Sequence, residues 1–138
     1  MFKRSILAMA AMSLSAIPAQ ADESAILLGK SNYTTLCATC HGEDAKGEGP
    51  TASLYKMKLP DLTALSENSG GQFPFSDVYE NIILGMDSPA HGTAMMPIWG
   101  DFFMADALKD RGVIPSDALY MAAGRAMSLA YYLETLQE

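Results

Sequence analysis

Both cysteines of the chain lie in Leu36-Cys37-Ala38-Thr39-Cys40-His41-Gly42, and one of its two histidines directly follows the second. Two thiols separated by two residues, with an imidazole next, form the attachment pattern for c-type haem. The chemistry explains the spacing. The thiols add across the two vinyl groups of one macrocycle, so they must stand about one helical turn apart, and the next residue projects its imidazole at the iron. The expected cofactor is one covalent haem c, held through Cys37 and Cys40, with His41 as an axial iron ligand.

Other uses of these side chains fit less well. A disulfide needs Cα atoms roughly 4.4–6.8 Å apart, and here it would close a loop too short to stabilise much. A redox dithiol of the thioredoxin kind expects a βαβ context, and no strand pattern precedes Cys37. Zinc takes four ligands. Cys37, Cys40, His41 and His91 make up the number, but adjacent Cys40 and His41 chelate one tetrahedral ion awkwardly.

An iron held by one histidine needs a sixth ligand, and methionine is the usual choice in electron-carrying sites. The chain has ten methionines, most of them expected to be gap-fillers. Met96 differs because Pro97 follows it. Proline fixes its own φ and restricts the residue before it to extended backbone, which holds a loop methionine rigidly against a metal. Met96 is the candidate ligand, with Met95 and His91 as alternatives. Trp99 carries an N–H that needs a partner when buried. A haem propionate and plain core packing are both open for it. Around Pro50, a backbone carbonyl is expected to accept from the other ring nitrogen of His41, as metal-bound histidines usually require. Pro50 and Trp99 are thus candidate haem-pocket residues.

These groups need elements to carry them. Residues 1–21 read as a secretory signal: Lys3 and Arg4, an apolar stretch from Ile6 to Ile17, then Ala19-Gln20-Ala21 as a small-x-small cleavage site. The apolar stretch is too short to span a bilayer, which disfavours an uncleaved anchor. Residues 22–138 then form one small domain with one core. No other apolar run is long enough to cross a membrane, and the export route points to a periplasm. Removing Lys3 and Arg4, with no acidic residue, takes the net charge from −7 to −9. Such a surface excludes nucleic acid as a partner. It suits a basic docking surface on another protein, or serves solubility alone.

A first helix is expected from Ser24 to Ala38, with Gly29 inside it where another helix approaches closely. Gly42, Gly47 and Gly49-Pro50 break regular structure after the thiols. A short helix over 61–67 has Asp61 as cap, and Gly70-Gly71 ends it. A helix over 77–85 is capped by Ser76 and stopped by Gly85. Asp101 to Gly112 holds a short amphipathic segment. A long final helix begins at Ser116. Leu119, Ala122, Ala126, Leu129, Leu133 and Leu136 recur on its inner face, and Tyr132 is placed to pack near Gly29.

Taken together, Gly29, Tyr33, Leu36, the Cys37–Gly42 core, Gly49-Pro50, Met96-Pro97 and Tyr132-Leu133 resemble class I monohaem cytochromes c. Pro60-Asp61-Leu62-Thr63, Gly70-Gly71-Gln72-Phe73-Pro74 and His91-Gly92 ahead of Met96-Pro97-Ile98-Trp99-Gly100 are similar to short periplasmic c-type cytochromes of proteobacteria. The resemblance implies an all-α fold of three to five helices around one covalent haem, with the N- and C-terminal helices crossing. It implies His41 and Met96 as axial ligands, redox proteins as partners, and a one-electron carrier rather than an enzyme.

Two other functions remain open from the residues. The chain is a fixed haem subunit of a larger dehydrogenase or oxidase complex, which co-purification with a large subunit would reveal. Or Met96 is labile and the chain is a ligand-binding haem protein, which carbon monoxide binding to the reduced form would reveal.

Overall fold

Asp22 opens the first helix by accepting from the Ser24 N–H at 2.9 Å, the usual service of an N-cap carboxylate. A computed structural model of the chain describes residues 22–55, 57–85 and 96–138. His91 and Met95, the alternative iron ligands, lie outside the described residues, as does the expected signal segment. All regular structure among the described residues is helical.

Helix α1 spans Glu23–Asn32. It runs on through a π turn at Tyr33–Cys37 into a short helix α2, Ala38–His41. The helical path therefore continues three residues past the expected end and carries both thiols and His41. The wide turn is closed by the Ala38 N–H on the Tyr33 carbonyl. A single inserted residue of this kind leaves no mark in an apolar pattern, and it is common at functional sites.

The short segment that follows Pro60 begins as expected. Asp61 caps it, accepting from the Thr63 N–H at 2.9 Å and the Thr63 hydroxyl at 2.6 Å. It makes a 3-10 turn at Leu62–Ala64 and then α3, Leu65–Asn68. Helix α4 is Phe75–Leu84 and α5 is Trp99–Ala107. Helix α6 is Pro115–Glu134. Two expected caps are corrected. Ser76 and Ser116 lie inside α4 and α6, and neither helix has a side-chain cap. Pro115 takes the first helical position of α6, where its fixed φ and missing N–H carry no cost.

The core is narrow. Among the larger side chains, Tyr33, Phe103 and Leu129 are fully buried. Alanines at 118, 122, 126 and 130 fill much of the rest, because α6 packs closely on its neighbours. At Gly29 an added Cβ would collide with the Ser128 carbonyl and stand 2.8 Å from Tyr132 Cβ. The expected close approach of the first and last helices at Gly29 and Tyr132 is therefore present. Tyr132 pairs with Tyr33, ring centroids 5.4 Å apart. Leu119, expected on the inner face, is 52 % exposed, while its neighbour Ala118 is fully buried. The inner face runs through 118, 122, 126, 129 and 133, one position round the helix from Leu119.

Candidate functional site

The short helix α2 ends at His41, and its last carbonyls need partners. The glycine-rich loop behind it supplies them one by one. Gly42 N–H donates to Ala38, Thr51 N–H to Thr39, Gly49 N–H to Cys40 and Gly47 N–H to His41, at 2.8–3.1 Å. The Thr51 hydroxyl adds a second donor to Thr39 at 2.9 Å. Only glycine fits at 49. A Cβ there would lie 2.6 Å from the Ala38 oxygen and from the Cys40 carbonyl carbon and oxygen. The loop thus moulds itself onto the backbone of the two-cysteine turn. Tyr33, one turn upstream, fastens the same loop from inside through its hydroxyl to the Gly42 carbonyl at 2.7 Å.

Cys37 and Cys40 are not bonded to one another. Both thiols are half-buried, and burial, with a smaller contribution from Cys40, pushes the Cys37 thiol up to about 12. The Cys40 sulfur has the hydroxyls of Thr51 and Tyr55 at 3.3 Å each. Tyr55 also lines an open cleft of about 610 Å³, together with Gly47, Gly49 and Leu59.

The His41 ring is half-buried, and its Nδ1 is fully enclosed without a hydrogen bond of good geometry. Burial lowers the imidazole below its ordinary value, and the Pro60 carbonyl works against this by favouring the protonated ring. The Pro60 carbonyl is thus the backbone group that bears on the imidazole, and Nδ1 makes no hydrogen bond to a carbonyl at Gly49-Pro50. The Gly49 carbonyl is engaged by the Ala52 N–H at 2.9 Å, and Pro50 is exposed. Gly47 makes the Pro60 arrangement possible. Its φ is +81°, and a Cβ there would lie 2.5 Å from the Leu59 oxygen and 3.0 Å from the Pro60 oxygen. A residue with a side chain would hold this segment away from His41.

Met96 and Trp99 are half-buried, and both pack against the same apolar cluster as Leu36, Cys37, Leu62, Phe73 and Ile83. Trp99 stacks on Phe103 at 5.9 Å and meets Phe102 edge-on at 5.4 Å. Core packing thus accounts for much of its surface. Gly100 lets α5 approach α4, since a Cβ there would collide with the Ile83 carbonyl.

The donor set fits a covalent haem. Two unpaired thiols and an enclosed imidazole stand on one helical path, and Cys37 and the Met96 thioether both pack against the same core cluster. Among the described residues no group of three or more His, Cys, Asp or Glu is placed to hold a metal ion by itself. His91, the fourth residue of the zinc alternative, lies outside the described residues.

Sequence reasoning passed over Arg125. Its guanidinium lies 4.2 Å from the centre of the Phe103 ring. It donates to Asn32 Oδ1 at 3.0 and 3.2 Å and to Asp106 at 2.9 Å. One side chain thereby ties α1, α5 and α6 together behind the site. Its partners lie 93 and 19 positions away, and no local pattern announces them.

No curated protein and no solved structure matches the chain. A family model for cytochrome c matches residues 26–110, from the first helix through α5, which takes in the thiols, His41 and Met96. That is more than half of the chain, and it agrees with the helical fold around the two-cysteine turn. The chain belongs to the cytochrome c family, whose cofactor is covalently bound haem c and whose role is haem-based electron transfer with redox partner proteins.

Proposed function

We propose that this protein is a periplasmic one-electron carrier with a single haem. Cys37 and Cys40 form the two thioether bonds, and His41 and Met96 are the axial ligands. Bound haem supplies an Fe(III)/Fe(II) couple. With both axial positions filled by protein side chains, small molecules are kept from the iron. The role is then electron transfer and not catalysis.

The observation that carries this reading is the turn at 37–41. Its thiols are unpaired, the carbonyls of residues 38–41 accept from the loop behind it, and the Nδ1 of its imidazole is enclosed. The chain spends four backbone hydrogen bonds and two close-packed glycines on fixing five residues. A thiol pair serving only as a buried hydrophobe has no need of such fixing.

Met96 contributes a soft ligand that favours Fe(II) and raises the potential, and Pro97 stiffens the backbone beside it. Leu36, Leu62, Phe73 and Ile83, half-buried against the core, would supply apolar walls for the haem. Residues 1–21 act as the export signal and residues 22–138 as the mature domain. No helix among the described residues is long and apolar enough to cross a membrane.

The test is covalent retention. Protein made in a host competent for cytochrome maturation should keep its haem through full denaturation. Cys37→Ala and Cys40→Ala should each lower the yield of holoprotein, with the haem that is attached held by a single thioether, and the double variant should release all haem on unfolding. Wild-type protein that loses its haem on denaturation contradicts the reading.

A further inference from the structure

Gln137 and Glu138, just beyond α6, are tied to the segment that carries Pro60. Gln137 uses its whole amide. Its Nε2 donates to the carbonyls of Leu62 and Leu133 at 2.8 Å each, and its Oε1 accepts from the Ser66 N–H at 2.8 Å. Glu138 donates its backbone N–H to the Thr63 carbonyl at 3.1 Å and pairs its carboxylate with Lys46 at 2.7 Å. These bonds grip residues 62–66, which begin two positions after Pro60.

The same segment is held from its other side. The Leu62 N–H donates to the Ala45 carbonyl at 2.8 Å, and Ala45 sits fully buried in the loop behind His41. The Pro60 carbonyl itself rests against Gly47, whose N–H bonds the His41 carbonyl. The segment is thus fixed between that loop and the residues after α6. Chain beyond a helix end is ordinarily loose unless tied down. Here a half-buried amide with three good hydrogen bonds ties it at a chosen place.

We infer that Gln137 is a positioning residue for the axial histidine: by fixing the Leu62–Ser66 turn it sets where the Pro60 carbonyl stands relative to the His41 imidazole. The inference rests on the reading of His41 as an iron ligand. A carbonyl that accepts from the outer ring nitrogen of such a histidine fixes the ring and makes it a more basic ligand. A more basic ligand favours Fe(III) and lowers the reduction potential. Loosening the Leu62–Ser66 turn lets the carbonyl withdraw, so the potential rises. Lys46 and Glu138 are exposed and only brace the arrangement, because exposed ion pairs contribute little.

The test uses the holoprotein of Gln137→Met, which keeps the length of the stem and deletes the amide without changing charge. Voltammetry gives the potential, and proton NMR gives the exchange of the histidine ring N–H with solvent. The expected result is a shift toward Fe(II) of roughly threefold, about 30 mV at 59 mV per tenfold, with faster ring N–H exchange. A lowered unfolding midpoint with potential and exchange unchanged overturns the inference, since it leaves Gln137 a purely structural role. If Gln137→Met retains no haem, Gln137→Asn is measured instead. It should shift both readouts in the same direction, and unchanged readouts again overturn the inference. A wild-type protein without the signature of an imidazole-ligated iron defeats the ligand reading. A wild-type protein with that signature and an unmoved variant defeats this inference alone.

Discussion

The Cα of Gly29 lies directly against the main chain of Ser128, so α1 and α6 touch backbone to backbone at that point. Everything the site needs is hung from this crossing. Tyr33, one turn on, pairs with Tyr132 and holds the Gly42 carbonyl. The two-cysteine turn follows within the same helical path.

Gly29→Ala should therefore destabilise the holoprotein. Alanine improves helix propensity by about 1 kcal/mol, but the methyl group would meet backbone, which cannot rotate away. Overpacking of this kind costs about 1–3 kcal/mol. The net effect expected in chemical denaturation is a lower midpoint, and a raised midpoint would show that α1 and α6 have room to separate.

Gly49→Ala should act on cofactor attachment more than on the helices. The added Cβ would lie 2.6 Å from the Cys40 backbone, so the loop must lift off the turn that presents the thiols. The yield of covalent holoprotein should fall several-fold while the helical circular dichroism of what is recovered stays native. A normal yield would mean that the loop is not needed to present Cys40.

Arg125→Met keeps the aliphatic stem over Phe103 and removes the guanidinium. Hydrogen bonds involving charged groups contribute about 1.5–3 kcal/mol, and the two bonds to buried Asn32 are the ones at stake. A loss on that order is expected near neutral pH. The loss should depend on pH with a defined sign. Asp106 is held below its ordinary value, first by Arg125 and then by Lys109. A carboxyl depressed in the folded protein contributes stability above its unfolded value of 3.8, and that contribution disappears as pH falls through the lowered folded value. The stability gap between wild type and Arg125→Met should narrow on acidification below about pH 4. A constant gap from pH 6 to pH 2 would mean that Asp106 takes no part.

The two-cysteine turn, the Gly29 crossing, the Asp61 cap and the helical class were legible because each rests on local chemistry. A thiol spacing, a glycine inside a helix and a carboxylate before a turn mean the same thing in most contexts. The starts of α4 and α6 were not legible from Ser76 and Ser116. Pro74 and Pro115 set the entry of those helices by backbone restriction, and the serines became interior residues. The π turn at Tyr33–Cys37 alters the path by one residue without altering which residues are apolar. Leu119 and Ala118 differ by one position on a helix whose neighbours sit too close for leucine, and the smaller side chain won the interior. Gly49-Pro50 stands nearer to His41 along the chain, but the positive φ of Gly47 lets Leu59 and Pro60 pack against the loop, and the Pro60 carbonyl bears on the imidazole. Arg125 and Gln137 act across 93 and 71 positions, beyond any local pattern.

The pairing of His41 with Met96 is tested most directly by the visible spectrum of the oxidised holoprotein, taken for the wild type and for Met96→Ala. The wild type should show a low-spin spectrum with the weak far-red band of a methionine-ligated Fe(III), unaffected by added cyanide on a short timescale. Met96→Ala should keep its haem, lose that band and bind cyanide at once. A far-red band that survives in Met96→Ala, or is missing from the wild type, would contradict the assignment.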